Sequence, residues 1–273
     1  MPELPEVETV KEALKAKLIN KKIIGINILY DNIIAYPSKE KFIYEIQNQT
    51  INDMKRRGKF LIFDLDDYYL LSHLRMEGKY FFKNNNQSIE KHEHIIFKLN
   101  DNEELRYMDT RKFGKMYLIE KNNIDNIGPL KSLGLEPWDD KLTSKYLLDK
   151  YKSKGIPVKT ALLEQDIIAG IGNIYADEIL FLSKINPLKK CNLITEKETK
   201  NIIKYTREVL ENAITKGGTT IRSYSSVDGV HGLFQQELLV HGKDKEKCPY
   251  CSSQINKIKV GGRGTYYCPL CQK

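Results

Sequence analysis

The sequence predicts an α+β protein: an antiparallel β-sandwich with an N-terminal helix, then a helical C-terminal domain that closes on a metal-binding β-hairpin. Three observations carry this. The first half holds short aliphatic and aromatic runs separated by Asn, Asp, Gly and Lys, the texture of strands joined by turns. From Thr143 onward apolar residues recur at helical spacing. The chain ends on Cys248, Cys251, Cys268 and Cys271, a C-x2-C-x16-C-x2-C pattern.

In chain order, Glu3 to Ile19 reads as an amphipathic helix with Val7, Val10, Leu14 and Leu18 on one face. Strands are expected at Ile23–Leu29, Phe60–Leu65, Tyr68–Leu74, Lys79–Phe82, Ile95–Leu99 and Lys115–Ile119, with a short helix at Phe42–Ile46 and a loop tip at Asn84–Gln87. Glycine and proline punctuation from Gly128 to Trp138 marks a linker, with the single tryptophan packing to anchor it. Helices follow at Thr143–Tyr151, Val158–Leu163, Asn173 to about Ser183, and Thr195–Lys216. Asn173 is placed as an N-cap, and Ile202, Tyr205, Val209 and Ala213 form a buried face. The expected domains are 1–131, a linker over 132–142, a helical domain over 143–236 and a zinc finger over 237–273.

The chain has 273 residues, and 44 Lys+Arg against 36 Asp+Glu give a formal charge of +8. That excess points to a polyanionic partner, nucleic acid or an acidic membrane surface. No apolar run approaches the ~20 residues of a membrane span, and no signal peptide is visible. A cytosolic monomer is expected. The paired cysteine knuckles supply four thiolates for one tetrahedral zinc ion, which leaves the metal no open position for catalysis. Cys191 is left over as an unpaired thiol.

Two readings of the start, Met1-Pro2-Glu3-Leu4-Pro5-Glu6, stand side by side. Proline and acidic residues suit a helix start. Removal of Met1 would also make Pro2 a secondary amine with a pKa near ~8, a ready nucleophile for Schiff-base chemistry. Helix-end charge favours the neutral amine, whereas Glu3 and Glu6 oppose it. Lys55-Arg56-Arg57-Gly58-Lys59-Phe60 reads either as a phosphate-binding turn or as a solvated basic loop. Gly261-Gly262 makes a hairpin turn that presents Arg263 to a nucleic-acid groove.

The opening Met-Pro-Glu-Leu-Pro-Glu-Val-Glu-Thr, the Arg-Gly-Lys-Phe turn, the segment Gln165–Glu178 and the stretch Arg263–Gln272 together resemble the bacterial formamidopyrimidine-DNA glycosylases. The resemblance implies a helix–two-turn–helix around Gly170–Asn173. It also implies a bifunctional glycosylase and abasic-site lyase of base excision repair, acting on double-stranded DNA with oxidised purines, near the bacterial nucleoid. It implies catalytic roles for Pro2, Glu3, Lys59 and Arg263, and phosphate contacts for His73, Lys159 and Asn173. Met76, Arg111 and Phe113 would fill the space left by an extruded nucleotide, with Arg111 on the orphaned base. The loop Thr220, Ile221, Arg222, Ser223 and Tyr224 would touch the lesion. One departure is Ser252-Ser253 after the second cysteine, where the family commonly has glycine. Two rivals remain open at this point: an endonuclease VIII-like enzyme for oxidised pyrimidines, and a non-catalytic zinc-ribbon DNA-binding protein, which leaves the Pro2-Glu3 start without a purpose.

Overall fold

A computed structural model describes residues 1–124, 126–219 and 233–273. The chain divides into two compact units. The first comprises Met1–Lys131 with, among the described residues, 217–219; the second comprises Ser132–Lys216 and Leu233–Lys273.

In the first unit, helix α1 (Leu4–Leu18) buries Leu4, Val7, Val10, Leu14 and Leu18. Each of these side chains contributes about 1.5–3 kcal/mol on leaving water. Two sheets flank the same core. One has the order β1 (Ile23–Ile28), β7 (Glu93–Leu99), β8 (Glu103–Met108), β6 (Lys79–Asn84). The other has the order β2 (Ile34–Tyr36), β9 (Lys115–Glu120), β5 (Tyr68–His73), β4 (Phe60–Asp64), β3 (Asp53–Arg57). Ile26, Phe97, Leu105 and Tyr80 of the first sheet pack with Met54, Leu61, Phe63, Leu70 and Leu118 of the second. Helix α2 (Lys39–Ile46) adds Phe42 and Ile46, under an N-cap from Ser38.

Three strands escape the sequence pattern. β2 is short and pairs parallel to β9, so the sandwich is not wholly antiparallel. β3 is an edge strand of sequence Asp-Met-Lys-Arg-Arg with only Met54 buried, and its charges suit an edge that must not pair further. β8 lies inside its sheet although its sequence is charged. Its polar face is satisfied internally: Arg106, 1% exposed, donates to Glu104 at 2.8 Å, to Glu93 at 2.9 Å and to the carbonyls of Ser88 and Gln87 at 2.9 and 2.7 Å.

In the second unit, α3 (Ser144–Tyr151), α4 (Val158–Leu163), α5 (Asn173–Leu182) and α6 (Glu196–Thr215) precede the hairpin β10 (Asn256–Val260) and β11 (Arg263–Tyr267). Thr195 and Glu198 form a capping box on α6. Its buried face runs through Ile202, Thr206, Val209, Leu210 and Ala213, with Tyr205 only half-buried at the margin. The expected linker is tied down within this unit. Leu135 N–H donates to Ile167 at 3.1 Å and its carbonyl accepts from Ala169 at 2.9 Å. A Cβ on Gly134 would strike the Ile167 backbone, so only glycine permits that approach. Trp138 is 39% exposed and does not bury itself as an anchor.

Replacing Arg106 with Leu would strand Glu104 and part of the Glu93 charge inside the sheet. The expected loss is about 3–5 kcal/mol of unfolding free energy, read from urea denaturation.

Candidate nucleic-acid interface and active site

The first unit holds the N-terminal cluster. Glu3 caps α1 from an extended backbone and is 2% exposed. Glu3 and Glu6 form a capping box, in which Glu6 Oε2 accepts from the Glu3 N–H at 2.8 Å. The other oxygen, Oε1, accepts from Thr219 N–H at 2.9 Å and its hydroxyl at 3.1 Å. Gly218 has φ +79° and its absent Cβ would lie 2.8 Å from Glu6 Oε1, so a side chain there would break this clasp. Glu6 was read from sequence only as an acidic neighbour of Pro2; its tie to Thr219 spans 213 positions and has no sequence signal. Pro2 is buried. With Met1 attached, the Pro2 nitrogen is an amide and is not nucleophilic; removal of Met1 frees it as an amine.

The basic stretch is a hairpin between β3 and β4, turned at Gly58 with φ +55°. Two of its ion pairs are Arg56 with Glu8 at 2.7 Å and Lys55 with Asp64 at 2.5 Å. Asp64 also takes Lys121 at 2.7 Å. Burial would raise the Asp64 carboxyl, but the Lys121 and Lys55 ammoniums hold it below the usual range. Lys59 is 5% exposed. It precedes Phe60, which pairs with His73 across the sheet, and the two rings meet edge-on at 4.6 Å. Lys59 and His73 therefore share one neighbourhood. Burial, with Arg75 and Lys59 adding positive charge, pushes the His73 imidazole down to about 3. Its Nδ1 accepts from Arg75 N–H at 3.0 Å, which leaves Nε2 to carry the proton. His73 can serve a phosphate as a neutral donor, not as a cation.

Two loops stand together beyond the sheets. Met76, half-buried, lies in the turn after β5; Arg111 and Phe113 lie between β8 and β9. Asp109, fully buried, shapes the second loop by accepting from Arg111 N–H at 3.0 Å and Gly114 N–H at 2.8 Å. The Thr110 hydroxyl donates to Glu77 and joins the loops. A Cβ on Gly78 or on Gly114 would collide with the Tyr107 phenol, so both glycines make room for one buried ring. Phe113 remains 50% exposed, with the Arg111 guanidinium 4.9 Å from its ring centroid. The guanidinium is attracted to the ring face, and an exposed aromatic with a cation beside it is suited to stacking on a base.

In the second unit, Gly172 caps α5 and Asn173 is its first residue, not its N-cap. The Asn173 amide instead donates to the Gly264 carbonyl at 3.0 Å. Lys159 also departs from expectation. It is wholly buried, 2.6 Å from Asp177 Oδ1, and so does not present its ammonium to a phosphate. Arg263 is exposed beside the hairpin turn. Glu178 accepts from the N–H groups of Leu239, Val240 and His241 at 2.8, 3.0 and 2.8 Å, fixing the approach to the finger. Thr220, Ile221, Arg222, Ser223 and Tyr224 lie outside the described residues.

The four cysteine sulfurs all lie within 4.8 Å of one another. A tetrahedron of Zn–S bonds of ~2.3 Å has sulfurs about 3.8 Å apart, so the donor set fits zinc. Cys248 and Cys268 pack with Phe181, Val240 and Ile255, which joins the finger to α5. No helix among the described residues is long and apolar enough to cross a membrane.

Comparison with known proteins agrees with this geometry. The formamidopyrimidine-DNA glycosylase N-terminal domain matches residues 1–116, its H2TH domain residues 133–225, and the zinc finger found in FPG and IleRS residues 245–273. The chain is 47% identical to the formamidopyrimidine-DNA glycosylase of Oceanobacillus iheyensis, over 100% of this chain and 98% of that one. It is 44% identical to that of Bacillus subtilis, over 100% and 99%. Its structure is similar to a Lactococcus lactis FPG variant in complex with Fapy-dG-containing DNA, with TM-score 0.94 and 41% identity over 100% of each chain. It is likewise similar to that protein on DNA with an abasic site, with TM-score 0.92 and 41% identity over 99% of each chain.

Two outcomes are expected from this site. The unfolded chain protonates His73 near 6.5 while the folded chain resists until about 3, so the unfolded state binds more protons in that window and stability is lost as pH falls through it. Between pH 7 and pH 5 the wild type should lose about 1–2 kcal/mol more than His73→Asn, measured by urea unfolding at each pH. Metal analysis should find one zinc per chain, and Cys268→Ser should release it together with the hydrogen-exchange protection of β10 and β11.

Proposed function

The chain belongs to the formamidopyrimidine-DNA glycosylase family, and on that premise we propose how its residues divide the work. The protein is a DNA glycosylase of base excision repair with a structural zinc ion, acting on lesion-containing duplex DNA. The observation that carries the residue assignment is the buried Pro2-Glu3 start, held at the α1 N-terminus by the Glu3–Glu6 capping box.

In this reading Pro2 nitrogen, free once Met1 is removed, attacks C1′ of the deoxyribose; the oxidised base leaves with the bonding electrons of its glycosidic bond and takes up the proton that the Pro2 nitrogen loses. Glu3 delivers a proton to the ring oxygen as the C1′–O bond opens, giving an iminium ion. The iminium acidifies C2′, and loss of that proton expels the 3′ phosphate; a second elimination expels the 5′ phosphate. Lys59 binds a phosphate near the lesion, and Arg263 acts from the hairpin. Met76, Arg111 and Phe113 fill the vacated stack, and His73 donates a neutral hydrogen bond to the backbone. Residues 1–131 carry the chemistry, 143–236 and 237–273 hold the duplex, and 132–142 join them. The lesion class is oxidised purine, 8-oxoguanine and formamidopyrimidines. Action on the chromosome places the protein in the bacterial cytoplasm, at the nucleoid.

The test is borohydride trapping on a duplex with 8-oxoguanine opposite cytosine, followed by mass spectrometry of the adduct. The expected product is a cross-link at Pro2 of a chain lacking Met1. A lysine adduct would remove Pro2 from its role. Faster excision of thymine glycol than of 8-oxoguanine would move the substrate to oxidised pyrimidines.

A further inference from the structure

Among the described residues, Lys159 is the one cation expected at DNA that the fold withdraws from solvent altogether. Its side chain is 0% exposed, as is that of Asp177, and the two form an ion pair at 2.6 Å. The ammonium also donates to Thr265 Oγ1 at 2.8 Å and to the Gly264 carbonyl at 3.2 Å. The ammonium is thus held inside this unit by an ion pair and two hydrogen bonds. Asp177 in turn reaches the same strand: its Oδ2 accepts from Tyr266 N–H at 3.3 Å and contacts His241 Nδ1 at 2.7 Å.

The contacts converge on three consecutive residues of β11, immediately after Arg263. Thr265 is buried, and its hydroxyl takes the Lys159 hydrogen bond while donating its own to the Arg263 carbonyl at 3.1 Å. Asn173 adds its bond to the Gly264 carbonyl. The hairpin turn is seated as well. Gly261 has φ +54°, and a Cβ there would lie 2.7 Å from Thr160 Oγ1 on α4. The backbone carrying Arg263 is thus fixed from beneath by α4 and α5, while Arg263 itself faces outward.

We propose that Lys159 is a positioning residue that acts through Thr265 and Gly264 to set where Arg263 is presented to DNA, and that it does not bind phosphate itself. The proposal rests on the reading of Arg263 as a functional residue of this enzyme. A buried ion pair is expensive to assemble, but once assembled, loss of either partner leaves the other uncompensated. This makes the pair a stiff support for a two-stranded hairpin that has little core of its own.

The test is a double-mutant cycle on strand cleavage at an abasic site, using Lys159→Met and Thr265→Val, each with and without Arg263→Ala. Thr265→Val keeps every charge and removes only the hydroxyl relay, so it carries the test if Lys159→Met fails to retain zinc. Each variant is expected to slow cleavage by about fivefold or more when Arg263 is present, and by less than about twofold when it is absent. The salt dependence of duplex binding by Thr265→Val and Lys159→Met should keep the wild-type slope. Equal losses with and without Arg263 would mean a merely structural role and overturn the proposal. A slope reduced by about 0.9 for Lys159→Met would make Lys159 a phosphate ligand and overturn it equally. Failure of the wild type itself to cleave would instead refute the proposed lyase function, which the same assay reads separately.

Discussion

A carboxylate taken out of water requires hydrogen-bond donors in return, and four such groups place the backbone of the candidate site. Glu6 joins the Glu3 N–H to Thr219. Asp109 folds the loop bearing Arg111 and Phe113. Asp177 and Glu178, neighbours on α5, hold β11 and the approach to the zinc finger. Each of these carboxylates is 4% exposed or less. Removing any one would leave several orphaned N–H groups, a larger penalty than the loss of a surface charge.

The same requirement occupies some of the basic residues that the sequence offers to a phosphate. Lys55, Arg56 and Lys159 are engaged with Asp64, Glu8 and Asp177. The net charge of +8 still draws the protein toward DNA at long range. In the proposed reading, close contact falls to shaped groups: a neutral His73, an exposed Phe113 under Arg111, and a hairpin bearing Arg263. That reading gives association and recognition to different residues. The first should weaken as salt rises; the second depends on loop geometry.

The loops gain that geometry from a buried ring as well as from charge. Tyr107 occupies the volume that a side chain at Gly78 or Gly114 would need, and it also approaches Asp109 at 3.4 Å. Two short turns from different strand pairs are thereby packed on one phenol, and the residues they expose are presented as a group.

The sequence by itself determined the elements whose signal is local. The α1 stripe of Val7, Val10, Leu14 and Leu18, the helical second half and the four zinc cysteines follow from spacing alone, because periodicity and ligand number are properties of neighbouring residues. The strands with charged sequences were not legible. β8 is interior because Arg106 finds Glu93 on the neighbouring strand and Glu104 on its own, and β3 is an edge that tolerates Lys55, Arg56 and Arg57. Asn173 looked like a cap, but its side chain had a better partner 91 residues away. The tertiary structure alone decided that Lys159 is an internal support, since the Asp177 and Thr265 that neutralise and bind it are brought to it by folding. A basic residue's role is set by whether a carboxylate reaches it before solvent does, and that is a long-range fact.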